Sequence, residues 1–301
     1  THTQSSAASD VYKRQYLNHI GIAAEWIDAR SCIKTDNFYR SAHLDWKRTQ
    51  LAIQNQVQGK TLKITQGFIG SDDNNFTTTL GREGSDYSAA IFAYCLGATD
   101  VTIWKDVPGV LNADPRVFDK TQLLHHISYQ EAIELAFYGA SVIHPKTLQP
   151  LQRKEIPLFV KSFLNPTENG TQVGKGVRMR PEIPCYIVKK GLSLLRLSTR
   201  DFSFVVEDNI SDIFKLLHEH KMSVDLIQNS AISFSVCIND KYHNVETLLH
   251  NLRARFDVQY TPNVTLYTIR HFEDDSATSL LKSNELILEQ RTETTLQLVM
   301  K

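Results

Sequence analysis

Two stretches of this 301-residue chain gather the residue types needed to hold a small charged molecule. The first is Thr65-Gln-Gly-Phe-Ile-Gly70, followed by Thr77-Thr-Thr-Leu-Gly-Arg-Glu-Gly-Ser-Asp86. Glycines and threonines ahead of a helix offer unpaired backbone N–H groups, the positive end of the helix dipole and hydroxyl donors, a setting that suits a phosphate or carboxylate. Arg82 adds a planar fork for the same kind of anion. Asp86 instead suits an ammonium group, and an anion-seeking guanidinium beside a cation-seeking carboxylate is what an amino-acid ligand requires. The second stretch runs from Trp104 to Arg116 directly after a strand, so Lys105, Asp106 and Arg116 stand where ligands of open α/β sheets collect. A plainer reading fits too: glycines that only make turns, Asp86 that only complements the helix dipole, and an Asp106–Arg116 surface pair.

Elements must position these groups. Thr61–Gln66, Asp100–Trp104 and Pro157–Ser162 read as strands. Between them, Ala89, Phe92, Ala93 and Leu96 recur at helical spacing, with Ser85 as N-cap and Gly97 as terminator. A second helix follows from Ser128, which forms an S-x-x-E box with Glu131; Ile133, Ala136 and Phe137 supply its apolar face and Gly139 stops it. His144-Pro145 predicts a further helix start with proline at the first position. Short apolar strands alternating with helices predict an α/β fold with a mostly parallel sheet. Thr1–Gln15, rich in Ser, Thr, Gln and Ala, is expected to be a disordered or foreign tail.

After Ser162 the texture changes. Asn165–Pro184 carries three prolines and three glycines, the composition of a connector, and predicts a domain boundary near residue 188. Beyond it the order is strand (193–197), helix (210–220), strand (223–228), strand (232–238), helix (245–256) and strand (258–261), a ferredoxin-like βαββαβ unit. A partial echo follows: strand 265–270, helix 276–282, then strands around 286–288 and 295–299.

Composition narrows the function classes. Lys+Arg 33 against Asp+Glu 33 leaves no basic surplus for a nucleic-acid backbone, so neither DNA nor RNA is expected as a partner. Cys32, Cys95, Cys185 and Cys237 lie 63, 90 and 52 residues apart, with no CxxC pair and no disulfide framework, which predicts buried thiols and a cytoplasmic protein. No apolar run is long enough to span a bilayer and no secretory signal is recognisable, so no membrane partner is expected. His125-His126 and the His218/His220 pair lack a third ligand at metal spacing, so no resident metal site is expected. GxxxxGK[ST], GxGxxG and G-x-S-x-G patterns are all missing.

Four strings, TQGFIG (65–70), TTTLGREGSDYSA (77–89), IWKDVPGVLNADPR (103–116) and FYGASVIHPKTLQPLQ (137–152), resemble the successive motifs of aspartate kinases, in family order and spacing. The likeness covers residues 16–187 as an amino-acid-kinase fold, and 188–301, notably MSVDLI (222–227), resembles the tandem ACT regulatory units of that family, the second one abbreviated. The resemblance implies ATP- and Mg²⁺-dependent phosphorylation of the L-aspartate side-chain carboxylate, giving 4-phospho-L-aspartate for lysine, threonine and methionine biosynthesis. It implies Arg82 on a substrate carboxylate, Asp86 on the ammonium, and Ser85 near the transferring phosphate. Lys105, Asp106, Leu111, Arg116, Ser141 and Val142 would surround the nucleotide. Ser223 and Asp225 would meet an amino-acid effector, lysine or threonine, and paired ACT units would make a homodimer.

The chain also departs from the family pattern. Nothing in it resembles the K-[FY]-G-G-[TS]-S strand with which the family opens, so the 301 residues are expected to show little kinase activity alone. Ser141 stands where many members carry lysine, and Val206–Ile210 lacks the usual glycine of the effector turn. Two other readings stay open: a kinase of glutamate or acetylglutamate, against which the ACT tandem argues, and a non-catalytic amino-acid sensor, against which Arg82, Asp86, Asp106 and Arg116 argue.

Overall fold

The computed structural model describes residues 2–140, 142–201 and 203–301, with side chains from residue 9 onward. The chain forms two compact units. One comprises residues 1–111, 123–137 and 141–181; the other comprises 112–122, 138–140 and 182–301.

The first unit runs α1 (His2–His19), β1 (Ala24–Ile27), α2 (Ala29–Cys32), α3 (Trp46–Gln56), β2 (Leu62–Thr65), β3 (Ile69–Ser71), β4 (Thr77–Thr79), α4 (Gly84–Leu96), β5 (Val101–Lys105), β6 (His126–Ser128), α5 (Tyr129–Tyr138), α6 (Pro145–Lys154), β7 (Leu158–Ser162) and β8 (Thr171–Gly174). β1 and β2 pair in parallel. β5 and β7, and β6 and β8, are also parallel, and an antiparallel β7–β8 contact joins them in the order β5-β7-β8-β6. α1 corrects the expected tail: the Ala-, Gln- and Lys-containing stretch is helical, and its end is held by reciprocal bonds between the Asn18 side chain and the Ala24 backbone at 2.8 and 3.0 Å.

α4 shows why periodicity alone misleads. It is apolar nearly all round, so two faces satisfy helical spacing. The face packed into the core carries Tyr87, Ile91 and Cys95 against Ile27, Ile33, Ile53 and Leu80. Of the predicted face, Ala93 is buried, whereas Ala89, Phe92 and Leu96 line an open cleft. α5 differs likewise: Ala132 and Leu135 are buried and Phe137 is exposed. Its cap is as read, with the Glu131 N–H donating to Ser128 Oγ at 3.0 Å. Gly97 ends α4 in the left-handed region at φ 62°, and His144 caps α6 with Pro145 in its first turn.

The second unit holds β9 (Cys185–Thr199), α7 (Glu207–Glu219), β10 (Ser223–Asn229), β11 (Ser233–Asn239), α8 (Val245–Arg253), β12 (Phe256–Arg270), α9 (Thr278–Ser283), β13 (Leu286–Arg291) and β14 (Thr295–Met300). These strands make one antiparallel sheet ordered β10-β11-β9-β12-β14-β13. Two predicted repeats are therefore one continuous sheet. The later part of β9 and the start of β12 complete the first βαββαβ unit, and the remainder of both strands serves the second. The second, abbreviated repeat takes its fourth strand from Cys185–Lys190, which begins ahead of the predicted boundary at 188 and runs across it. Alternation along β9 buries both faces. Leu195 and Leu197 join Ile213, Leu217, Leu248 and Phe234 under α7 and α8, while Leu192 and Leu194 join Leu226, Cys237, Val264 and Leu266. All four cysteines are buried, and none forms a disulfide.

Candidate active site

The site of the first unit is built where β2 runs out. Gln66 is 1% exposed and its Oε1 accepts the Ala29 N–H at 2.8 Å. A Cβ at Gly67 would sit 3.0–3.1 Å from Ser85, so glycine lets this strand end approach the start of α4. The Phe68 N–H donates to Ser88 Oγ (2.9 Å), Ser88 Oγ donates to the Gly84 carbonyl (2.8 Å), and the Leu80 N–H donates to the Phe68 carbonyl (2.9 Å). The two glycine-rich stretches are thus one hydrogen-bonded loop system.

α4 opens without a side-chain cap. Glu83, at φ 53°, occupies the N-cap position, and Ser85, predicted as cap, lies inside the first turn. The Gly84 N–H donates to the Gly81 carbonyl at 3.2 Å, and the Ser85 and Asp86 N–H groups are left for an anion. Arg82 is exposed and makes no ion pair among the described residues. Asp86 does: its Oδ2 lies 2.9 Å from Lys105 Nζ, with side chains 20% and 22% exposed. The predicted substrate carboxylate and the predicted nucleotide lysine are therefore neighbours, brought together by α4 and the end of β5.

Beside this loop lies a cleft of about 430 Å³. Lys63, Thr65, Gln66, Gly67, Ser85 and Ser88 give it polar lining, and Ile27, Val57, Phe92 and Leu96 give it apolar lining. Thr65 Oγ1 and Gln66 Nε2 are buried there without a hydrogen-bond partner. Such groups are ordinarily satisfied, so they mark the cleft as a place for a polar occupant.

The remaining predicted residues fall less tightly together. Asp106 is exposed, and Leu111 and Val142 are half-buried. Arg116 clusters with the second unit, where its fork grips Asp114 at 2.8–3.2 Å, replacing the expected Asp106 pairing with a local one. That guanidinium holds the Asp114 carboxyl below its usual range. Ser141 lies outside the described residues. In the second unit, Ser223 opens β10 exposed, while Asp225 is bound to Lys189.

Sequence reasoning missed two lysines. Lys146 Nζ donates to the Leu80 carbonyl at 2.8 Å and stands 4.8 Å above the Tyr87 ring, pinning the loop ahead of Arg82; burial pushes its pKa down. Its signal was available in the string His144-Pro145-Lys146 at a helix start. Lys189 is the other, concealed within the pair Lys189-Lys190.

Residues 7–162 match the model of the amino acid kinase family. This chain belongs to the amino acid kinase family. Within that family it is 36% identical over 228 residues to lysine-sensitive aspartokinase 3 of Escherichia coli, covering 75% of this chain and 51% of that protein. Two structures of Escherichia coli aspartokinase III align with a TM-score of 0.78. The complex with lysine and aspartate, a T-state, is 29% identical over 98% of this chain and 69% of that one. The complex with aspartate and ADP, an R-state, is 28% identical over 98% and 70%. The chain spans about half the length of the curated relatives it matches. As a family member it has the amino-acid-kinase fold, and its continuous antiparallel sheet corresponds to ACT-type units.

Proposed function

We propose that this chain belongs to an aspartate kinase, with residues 16–181 falling mainly in its catalytic domain and 182–301 in its ACT regulatory domain, a boundary slightly ahead of the one expected from composition. The observation that carries the reading is the uncapped start of α4, where the free guanidinium of Arg82 stands four residues before the Asp86 carboxylate. An amino acid with an acidic side chain needs one cationic and one anionic contact of this kind. Arg82 would bind a substrate carboxylate and Asp86 the ammonium, while the first-turn amides and Ser85 would receive the transferring phosphoryl group. The Escherichia coli relative complexed with aspartate and ADP supports this choice of ligands.

In the reaction, a side-chain carboxylate oxygen of L-aspartate attacks the terminal phosphorus of ATP. The bond from that phosphorus to the bridging oxygen breaks, and 4-phospho-L-aspartate and ADP leave. Positioning and charge neutralisation suffice for such a transfer, and no protein nucleophile is required. Lys105, Asp106, Leu111 and Val142 would hold the nucleotide. No three His, Cys, Asp or Glu side chains gather as a ligand cluster among the described residues, so Mg²⁺ would be held chiefly by the nucleotide phosphates, whose charge it neutralises. Ser223 and Asp225 would meet a lysine or threonine effector, as the lysine-bound relative supports. The exposed edge strand β10 suits pairing with a second copy, in the cytoplasm.

The test is coupled ADP release on this chain preceded by the family's lysine- and glycine-containing first segment, comparing wild type with Arg82→Ala and Asp86→Ala. Aspartate-dependent turnover that both substitutions abolish is expected. Bound ATP with no aspartate-dependent turnover would overturn the kinase reading in favour of an amino-acid sensor.

A further inference from the structure

Asp225 sits at a break in the β10–β11 ladder. Val224 pairs with Ile238 and Leu226 with Cys237, so Asp225 is the extra residue of a bulge, a device that re-aims a side chain. Its carboxylate is turned inward, with the side chain 12% exposed. Oδ1 receives the Lys189 ammonium at 2.5 Å, and Oδ2 is buried without a partner. A carboxylate offers about four lone-pair sites, and with Oδ2 buried beyond the reach of water the Lys189 ammonium is the cation that neutralises this one.

The lysine comes from outside the local ladder. β9 pairs with β11 only over Ser193–Ser198, and Lys189 precedes that stretch, opposite Leu266 of β12. Its stem passes Gly139, where a Cβ would be only 2.8 Å from Lys189 Cε. A lysine is a compact point charge on a flexible stem, an occupant that can leave without unravelling a strand.

We propose that the Asp225 carboxylate is a primary-ammonium site that the chain fills from within by Lys189, so that an external amino-acid ammonium enters only by displacing it. A tethered group acts at an effective concentration in the millimolar range, which lowers the apparent affinity of any free competitor. The amino-acid consequence rests on the effector reading above; the ammonium site itself does not.

Thermal unfolding of the full chain tests the site. Lys189→Ala removes three methylenes and the ammonium, and propylammonium chloride supplies those same atoms. Propylammonium is expected to raise the melting temperature of Lys189→Ala saturably, and not that of wild type or Asp225→Asn; tetramethylammonium at equal ionic strength should do nothing comparable. Equal shifts with both cations, or an equal propylammonium shift in Asp225→Asn, would overturn the site. Lys189→Met, which keeps the stem, gives the second arm should the alanine variant not fold. By calorimetry it should bind L-lysine or L-threonine at least tenfold more tightly than wild type. Equal affinity in both would overturn displacement and leave the effector reading intact. Rescue by propylammonium with no amino acid bound by any variant would sustain the site and remove the effector reading.

Discussion

Asp86 of the first unit and Asp225 of the second each face a lysine ammonium, and the two pairs differ in what surrounds them. Asp86 lies in the first turn of α4, four residues after Arg82, and its pair with Lys105 has a fifth of each side chain exposed. Asp225 lies on a strand bulge, more deeply set, with one oxygen unpartnered. Lys105 is held at a strand end among groups that gather anions, so a ligand arriving there meets both signs of charge. At Asp225 only one sign is on offer, and a lysine already takes it. Two carboxylates chosen from sequence for the same chemistry thus stand in environments suited to catalysis and to occupancy control, respectively.

The largest effect that would break this contrast is on turnover. In the chain completed with the family's first segment, Arg82→Ala and Asp86→Ala are each expected to lower aspartate-dependent ADP release by about a hundredfold or more, as loss of a charged contact to reacting groups does. Asp225→Asn should leave turnover without effector within a few-fold; an equal collapse there would erase the distinction. Double-mutant cycles then compare the pairs through urea unfolding. Coupling on the order of 2 kcal/mol is expected between Lys189 and Asp225. About 1 kcal/mol or less is expected between Lys105 and Asp86, which are more solvated. Reversed magnitudes would show that burial does not separate them.

A smaller prediction concerns local structure rather than charge. Ser128→Ala removes the cap of α5 and should cost about 1 kcal/mol by the same unfolding assay. The smallest concerns alkaline pH. Burial pushes the Cys95 thiol of the first unit up to about 11, and burial with the nearby Asp225 carboxylate pushes Cys237 of the second up to about 12. Unfolded thiols titrate near 8.5. Above that pH the unfolded chain releases protons that the folded chain keeps, so stability falls as pH rises until the folded values are reached. Cys237→Ala should flatten the decline between pH 8.5 and 10.5 at least as much as Cys95→Ala; an unchanged slope in both would count against the buried-thiol account.

Much of the fold was legible because it is written in local rules. Gly97, Ser128, His144-Pro145 and the alternation along Ser193–Leu197 announce their elements through backbone freedom, capping and period, which need no knowledge of distant residues. The faces of α4 and α5 were not legible, because an apolar residue satisfies the helical period whether it meets the core or a cleft. The candidate site divides the same way. Arg82 and Asp86 stood out by type beside a glycine-rich loop. Lys146 and Lys189 did not, because their bonds to Leu80 and Asp225 span 66 and 36 residues.

By itself the sequence determined where chemistry concentrates, which family the motifs resemble and the order of strands and helices from residue 193 onward, since residue type, spacing and capping act within a few residues of chain. Only the tertiary structure decided that β9 and β12 join two repeats into one sheet, that the second repeat takes a strand from Cys185–Lys190, and that each chosen aspartate already faces a lysine. Those are pairings between distant segments, fixed by which backbone edges and buried charges can satisfy one another once the chain has collapsed, and no local pattern encodes them.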